Sequence, residues 1–189
     1  MSKSKDQSNE LSRRNLLKNA AAAGVALNAG VHGTAQQAAA ASKRDNPITK
    51  ENAKPGTKDW MLTKTDITDN EPVELWRRPR IEGYCSDTSV SAGETLKIMV
   101  SANPVSEFSL EIYRTGYYGG DGGRLMKRFD SLQGQTQPDP SVGENRLREC
   151  QWEPAVELKI PDDWLSGVYL GKLTAKQDGS QSYVIFIVR

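Results

Sequence analysis

The chain has 189 residues, with 25 lysines and arginines, 24 aspartates and glutamates, one histidine and two cysteines. This length predicts one domain, with room for an appendage. The near-zero net charge argues against a nucleic-acid-binding protein, and no apolar stretch is long enough for a stable membrane span. The single histidine, His32, lies in a segment that we expect to be removed. We therefore expect neither a histidine-dependent triad nor histidine-ligated zinc in the mature chain.

Residues 1–41 are typical of a twin-arginine signal peptide. A polar leader and an arginine pair precede a weakly apolar, alanine-rich run, and alanines at 38–41 offer cleavage sites. We therefore predict that the export machinery is a partner and that the chain is exported, to a periplasmic or extracellular location. An ordinary alanine-rich helix is the alternative. The motif, in which leucine replaces the usual phenylalanine, comprises Ser12, Arg13, Arg14, Leu16, Leu17 and Lys18.

Residues 42–74 are predicted to form a polar linker or an extended arm. Prolines are scattered through this segment, and it shows little periodic hydrophobicity, which favours an irregular chain. Trp60 and Met61 are its apolar exceptions. We expect these two side chains to dock against another part of the protein.

Residues 75–189 are predicted to form one all-β domain, an immunoglobulin-like β-sandwich. Short runs with apolar residues at every second position alternate with turns, which indicates a sheet with one buried face. A parallel α/β fold is disfavoured because helical periods are absent. Residues 167–175 and 181–188 are predicted to pair as a hairpin. The alternating apolar positions are Leu96, Ile98 and Val100, then Phe108, Leu110 and Ile112, and then Val156, Leu158 and Ile160.

The segment Pro161–Tyr169 and the last strand add two further expectations. Trp164 is placed to cap the core, at a corner of the kind where immunoglobulin-type domains hold a loop with an aromatic residue. The strand Tyr183–Val188 is apolar on both faces, so its second face needs a cover. Residues 42–74 would supply this cover, or else a neighbouring domain or a second subunit would.

Five segments occur in order along the chain: Ile81–Tyr84, Ser89–Thr95, Ile112–Leu125, Cys150–Trp152 and Pro161–Tyr169. Together they resemble the N-terminal β-sandwich of proteins similar to the large (beta) subunit of N,N-dimethylformamidase. The resemblance covers about residues 75–189, and its tyrosine-glycine segment is the most specific part.

That resemblance implies a larger domain beyond the sandwich, whose catalytic iron is held by two tyrosines and a glutamate. The chain stops at Arg189, so we expect no catalytic residue, no metal ligand and no cofactor in it. Cys85 also departs from the small residue that the family would have there.

The glycine-rich segment 116–123 superficially resembles a phosphate-binding loop, but no helix is predicted after it, as that motif requires. A glycine-rich hairpin is favoured instead. It would present Tyr117 and Tyr118 to a partner domain or a sugar face. Together with Trp164, these two tyrosines are the candidate interaction residues.

The two cysteines, Cys85 and Cys150, would form an inter-sheet disulfide or remain free thiols. Zinc would require further ligands. The carboxylates Asp139, Asp162 and Asp163 are interpreted as turn residues. The basic run 77–80 is interpreted as a solvated linker end.

Three functions remain open from the sequence. The first is an exported, non-catalytic docking or structural domain of a dimethylformamidase-like protein. The second is one part of an iron-dependent amidohydrolase, completed by a catalytic domain or subunit on another chain. The third is a carbohydrate- or surface-binding module, for which fold analogy and aromatic residues are the support.

Overall fold

The structure is a computed structural model that describes residues 46–65 and 80–189. The predicted signal peptide, residues 1–41, lies outside the described residues. Pro47–Arg189 forms one compact unit. Among the residues described, no helix has the length and apolar character needed to cross a membrane.

Two sheets pack face to face and confirm the predicted all-β sandwich. Within the described residues the strands are β1 (Ile81–Cys85), β2 (Ser89–Val90), β3 (Thr95–Ala102), β4 (Glu107–Thr115), β5 (Gly123–Gln133), β6 (Pro154–Lys159), β7 (Gly167–Ala175) and β8 (Gln181–Val188). One sheet has three strands in the order β1-β3-β6, and the other has five in the order β2-β8-β7-β4-β5. Neighbouring strands are antiparallel, except that β2 runs parallel to β8.

The core lies between the sheets and is built from the predicted alternating positions. All nine of those apolar side chains are buried there. The predicted hairpin of β7 and β8 is confirmed, with Gly167 opposite Val188 and Thr174 opposite Gln181. Every second side chain of these strands is buried because successive side chains of a strand point to opposite faces of the sheet.

At the corner before β7, aromatic side chains cover one end of the core between the two sheets. The rings of Trp164 and Tyr169 stack with centroids 4.8 Å apart, and Tyr169 also stacks on Phe186. The hydroxyl of Tyr169 donates a hydrogen bond to the carbonyl of Leu165 at 2.7 Å. This aromatic corner is the arrangement expected from the sequence.

Residues 47–65, which we call the arm, pack on the outer face of the five-stranded sheet. The arm begins with a short helix, α1 (Pro47–Asn52), which was not predicted. Thr57 then pairs with Gly123 at the start of β5. The indole of Trp60 lies over Gly122 and Gly123 and donates to the carbonyl of Asp121 at 2.9 Å.

Further along the sheet, the arm binds the outer face through its backbone. The buried ammonium of Lys172 donates to the carbonyls of Asp59 and Met61 at 2.7 and 3.0 Å. The hydroxyl of Tyr183 donates to the carbonyl of Trp60. The arm therefore covers the beginning of β8 on its outer side.

Candidate functional site

The glycine-rich loop joins β4 to β5 as the predicted hairpin. Its glycines at 119, 120 and 122 have φ values of 68°, 99° and 85°, a region that only glycine adopts without strain. The loop is closed by hydrogen bonds from Gly120 N to Tyr117 O at 2.7 Å and from Gly116 N to Gly122 O at 3.1 Å. A strand, not a helix, follows it, so the arrangement needed to hold a phosphate on a helix terminus does not form here.

The two tyrosines of this loop have opposite environments. The side chain of Tyr117 is 70% exposed, whereas that of Tyr118 is 1% exposed. Tyr118 has a φ of 40°, which turns its ring beneath the loop. Of the pair predicted as interaction residues, the loop thus presents Tyr117 at the surface and buries Tyr118.

Beneath the loop lies a buried charge cluster, formed by Glu51, Arg114, Tyr118 and Arg124. The hydroxyl of Tyr118 accepts from Arg114 Nη1 at 3.0 Å and donates to Glu51 Oε1 at 3.1 Å. Arg124 donates to the same oxygen from both Nε and Nη2, each at 2.6 Å. The cluster joins the arm to both strands of the hairpin.

The carboxylate of Glu51 stays ionised in this cluster. Burial raises its pKa, but hydrogen bonds from Lys54, Arg124 and Tyr118 outweigh burial and leave the pKa below its ordinary value. Lys54 Nζ lies 2.7 Å from Oε2. Paired in this way, the carboxylate acts as a structural anion, and its oxygens are already taken by cations and a phenol.

Arg114 links the cluster to the corner before β7. Its Nη2 donates to the carbonyl of Ser166 at 2.9 Å. A side chain at Gly167 would come within 3.1 Å of the same nitrogen, so a glycine is needed for this close approach. The Nε of Arg114 is buried and has no acceptor among the described residues.

An apolar surface lies at the same end of the five-stranded sheet. We call Tyr117, Val168, Ile185 and Ile187 the docking surface. Val168 pairs with Ile187 across β7 and β8, and its carbonyl accepts a hydrogen bond from the hydroxyl of Thr115, two residues before Tyr117, at 3.1 Å. Val168, Ile185 and Ile187 are 41%, 58% and 44% exposed. Ile185 and Ile187 lie on the predicted apolar outer face of the last strand, beyond the part that the arm covers.

The remaining predicted interaction residue, Trp164, is 7% exposed. Its ring is stacked on Tyr169 and closes the core. Trp164 therefore offers a partner little surface.

The two cysteines are free thiols in the structure. Cys85 packs partly against the core, while the adjacent Tyr84 donates from its hydroxyl to the carbonyl of Cys150 at 3.0 Å. Because neighbouring side chains of a strand point to opposite faces, Cys85 is directed away from Cys150. Burial, followed by the charge of Asp87, raises the pKa of the Cys85 thiol to about 12.

The sequence resemblance places its catalytic iron in a domain beyond the sandwich. Among the described residues, no three His, Cys, Asp or Glu side chains lie close enough to share a metal ion. Glu51 and Tyr118 do meet, but Arg124 and Lys54 ion-pair with the carboxylate. Such cations repel a metal ion.

Three members of the cluster were missed in the sequence. Arg114 could have been found, because it continues the inward positions Phe108, Leu110 and Ile112 of β4, and a buried arginine needs partners. No sequence pattern marks Glu51 or Arg124. Their contact spans 73 residues.

Comparison with known proteins finds a family match over less than half of the chain. Residues 109–189 match the model of the family described as N,N-dimethylformamidase beta subunit-like, C-terminal. The match is to the same family as the sequence resemblance, although that resemblance was to an N-terminal sandwich and the model is described as C-terminal. No curated protein matches the chain.

Among solved structures, the chain is similar to the Pseudomonas fluorescens alkylpurine DNA glycosylase AlkC bound to DNA containing an abasic site analog. The TM-score is 0.32 at 13% identity, with 58% of this chain and 30% of that chain covered. The chain thus spans less than a third of that protein. Similarity at this level informs neither fold nor function.

Proposed function

We propose that the sandwich, whose residues 109–189 belong to the N,N-dimethylformamidase beta subunit-like family, is a non-catalytic docking portion of such a protein. Its partner is the catalytic part of a dimethylformamidase-like enzyme, on the same chain or on another. The protein is exported by the twin-arginine pathway, a proposal supported by the motif from Ser12 to Lys18.

The docking surface is the observation that carries this proposal. Contiguous exposed apolar side chains mark interaction sites on folded proteins, and tyrosine is enriched at the centres of interfaces. The backbone N–H of Tyr117 donates to Asn52 Oδ1 at 2.9 Å, and the loop that carries Tyr117 is closed on itself. The backbone that carries the exposed ring is therefore ordered before binding, which favours affinity.

The partner is expected to continue the cover that the arm begins. The arm already occupies the outer face around Lys172 and Tyr183, whereas Ile185 and Ile187 are exposed directly beyond it. A protein surface with apolar side chains opposite these isoleucines would complete that cover. A polar or highly charged partner would leave them hydrated.

Binding to a catalytic domain tests the docking role. Isothermal titration calorimetry would compare the wild-type chain with Ile187→Asp and Tyr117→Ala, using the catalytic domain encoded with the sandwich in a dimethylformamidase-like protein. We expect each variant to weaken binding about tenfold or more, a cost of about 1.4 kcal/mol, as central interface residues do. Val105→Asp is the matched control, since Val105 is 66% exposed and lies outside the docking surface. Absence of binding, or an equal loss in the control, would overturn the proposal.

Two further assays test the other parts of the proposal. Purified protein is expected to show no hydrolysis of N,N-dimethylformamide, with or without added iron, and clear turnover by this chain alone would contradict the non-catalytic role. Replacing Arg13 and Arg14 by lysine should retain the chain in the cytoplasm. Unchanged export of that variant would refute export by the twin-arginine pathway.

A further inference from the structure

The buried charge cluster is assembled from two separate parts of the chain. Arg114, Tyr118 and Arg124 belong to the hairpin of β4 and β5, whereas Glu51 belongs to the arm. The hairpin therefore supplies Arg124 and Tyr118 as donors to Oε1, whereas the arm supplies the carboxylate and the ammonium of Lys54 at Oε2.

The hairpin donors converge on one oxygen. Arg124 Nε, Arg124 Nη2 and the Tyr118 hydroxyl all point at Glu51 Oε1, at 2.6, 2.6 and 3.1 Å. The side chain of Glu51 is 4% exposed. Charge-assisted hydrogen bonds from a guanidinium to a carboxylate are among the strong ones in proteins. Three donors thus hold one buried carboxylate oxygen, while the side chain of Arg124 is itself 24% exposed.

Within the cluster, the positive charge exceeds what Glu51 neutralises. The cluster contains two guanidinium groups and one carboxylate, and Arg114 is 3% exposed. The Nε–H of Arg114 is buried without an acceptor among the described residues. Arg114 reaches Glu51 through the hydroxyl of Tyr118, and its unpaired Nε lies on the side of Gly167. Because burying a guanidinium without a counter-ion costs free energy, the charge of Arg114 still favours an anion nearby.

We propose that Arg124, Tyr118 and Arg114 form a carboxylate-binding site of the sandwich, which the arm occupies through Glu51 as an internal ligand. The site selects its occupant by charge and hydrogen bonding and does not require a covalent link to the arm. It therefore accepts a free carboxylate once the side chain of Glu51 is removed. Occupancy also orders the glycine-rich loop, because the neighbouring Asn52 holds the backbone of Tyr117.

The full-length variant Glu51→Ala tests this site with acetate as the probe. Alanine keeps the β-carbon of Glu51, so the missing atoms correspond to one acetate ion. Acetamide has the same shape without the charge, and chloride at equal ionic strength controls for screening. Thermal unfolding is followed by circular dichroism, and binding by titration calorimetry.

We expect acetate to raise the Tm of Glu51→Ala by about 3–6 °C at concentrations well above its Kd, since a ligand that binds only the folded state stabilises it. Chloride and acetamide should give no comparable rise. The control Glu107→Ala removes an exposed carboxylate that is paired with Lys176 at 3.2 Å. That variant, like the wild type, should respond equally to acetate and chloride.

Equal responses of Glu51→Ala to acetate and chloride would overturn the proposal. If this variant does not fold in chloride, we expect acetate to restore its far-ultraviolet spectrum on refolding, and failure to do so would also overturn it. Glu51→Gln gives a second readout, because the amide fills the site. Acetate should stabilise this variant no more than chloride does, and a specific acetate effect there would show that the anion binds elsewhere.

Discussion

Tyr118 and Glu51 are 67 residues apart in the chain and share a buried hydrogen bond of 3.1 Å. The bond connects a loop between two strands with the short helix at the start of the arm. The same hydroxyl also accepts a hydrogen bond from Arg114 at 3.0 Å. It therefore binds a buried guanidinium of the hairpin and the carboxylate of the arm at once.

Removing that hydroxyl should destabilise the protein. Tyr118→Phe leaves Arg114 Nη1 and Glu51 Oε1 each without one buried partner, and the free energy of unfolding should fall by about 1–3 kcal/mol. Urea unfolding measures the change. The control Tyr117→Phe alters a ring that is 70% exposed and should stay within about 0.5 kcal/mol of the wild type. Similar losses in the two variants would contradict the role of the cluster.

Stability at acid pH should report the ionisation of Glu51. Its pKa in the folded chain lies below its ordinary value of 4.5, so the charged form stabilises the fold. That stabilisation is fully present above about pH 4.5 and is lost as the pH falls through the folded-state pKa. The difference in unfolding free energy between the wild type and Glu51→Gln should therefore shrink on acidification. Urea titrations between pH 7 and pH 3 measure it, and a difference independent of pH would show that the charge is not responsible.

Trp60 should keep the arm attached to the sheet. Trp60→Ala removes the ring over Gly122 and Gly123 and its hydrogen bond to Asp121. Trypsin should then cleave at Lys58, which is exposed, about tenfold faster, because cleavage follows the population of the opened arm. Gly123→Ala should also speed cleavage at Lys58, since the added β-carbon would lie 2.6 Å from Trp60 Cδ1 and would displace the indole.

The matched control for that experiment is Met61→Ala. The side chain of Met61 is 42% exposed, and its contact with Lys172 is made by the backbone carbonyl. Cleavage of this variant should proceed at the wild-type rate. Faster cleavage here as well would indicate a general loosening of the chain, not a role for the indole.

The two thiols should react at very different rates. Cys150 is exposed, whereas Cys85 is partly buried and its pKa is raised to about 12, so it holds little thiolate near neutral pH. A disulfide reagent at pH 8 should modify one thiol quickly and the second only after denaturation. Cys150→Ser should remove the fast phase. A fast phase that survives this substitution would place the reactive thiol at Cys85.

Alternation along the chain was sufficient to predict β3, β4 and β6, because each buries alternate side chains in the core, and the turn between β7 and β8 was sufficient to predict that hairpin. Alternation did not reveal β5. This strand lies at the edge of the sheet, much of it is exposed, and its pairing with β4 shifts register between Phe108 and Leu110 and again between Ile112 and Tyr113. Exposure and bulges both remove the period on which such a prediction depends.

The sequence by itself determined the sandwich and its core positions, and its loop motif pointed to the family whose model residues 109–189 match, since periodic burial and a specific loop motif are local properties of the chain. The tertiary structure decided which tyrosine of the pair is exposed, because the backbone of the loop turns Tyr118 inward and leaves Tyr117 in solvent. It also decided that Glu51, in a polar segment, becomes the counter-ion of Arg124. That pairing depends on two segments 73 residues apart meeting at a largely buried carboxylate, which no local pattern encodes.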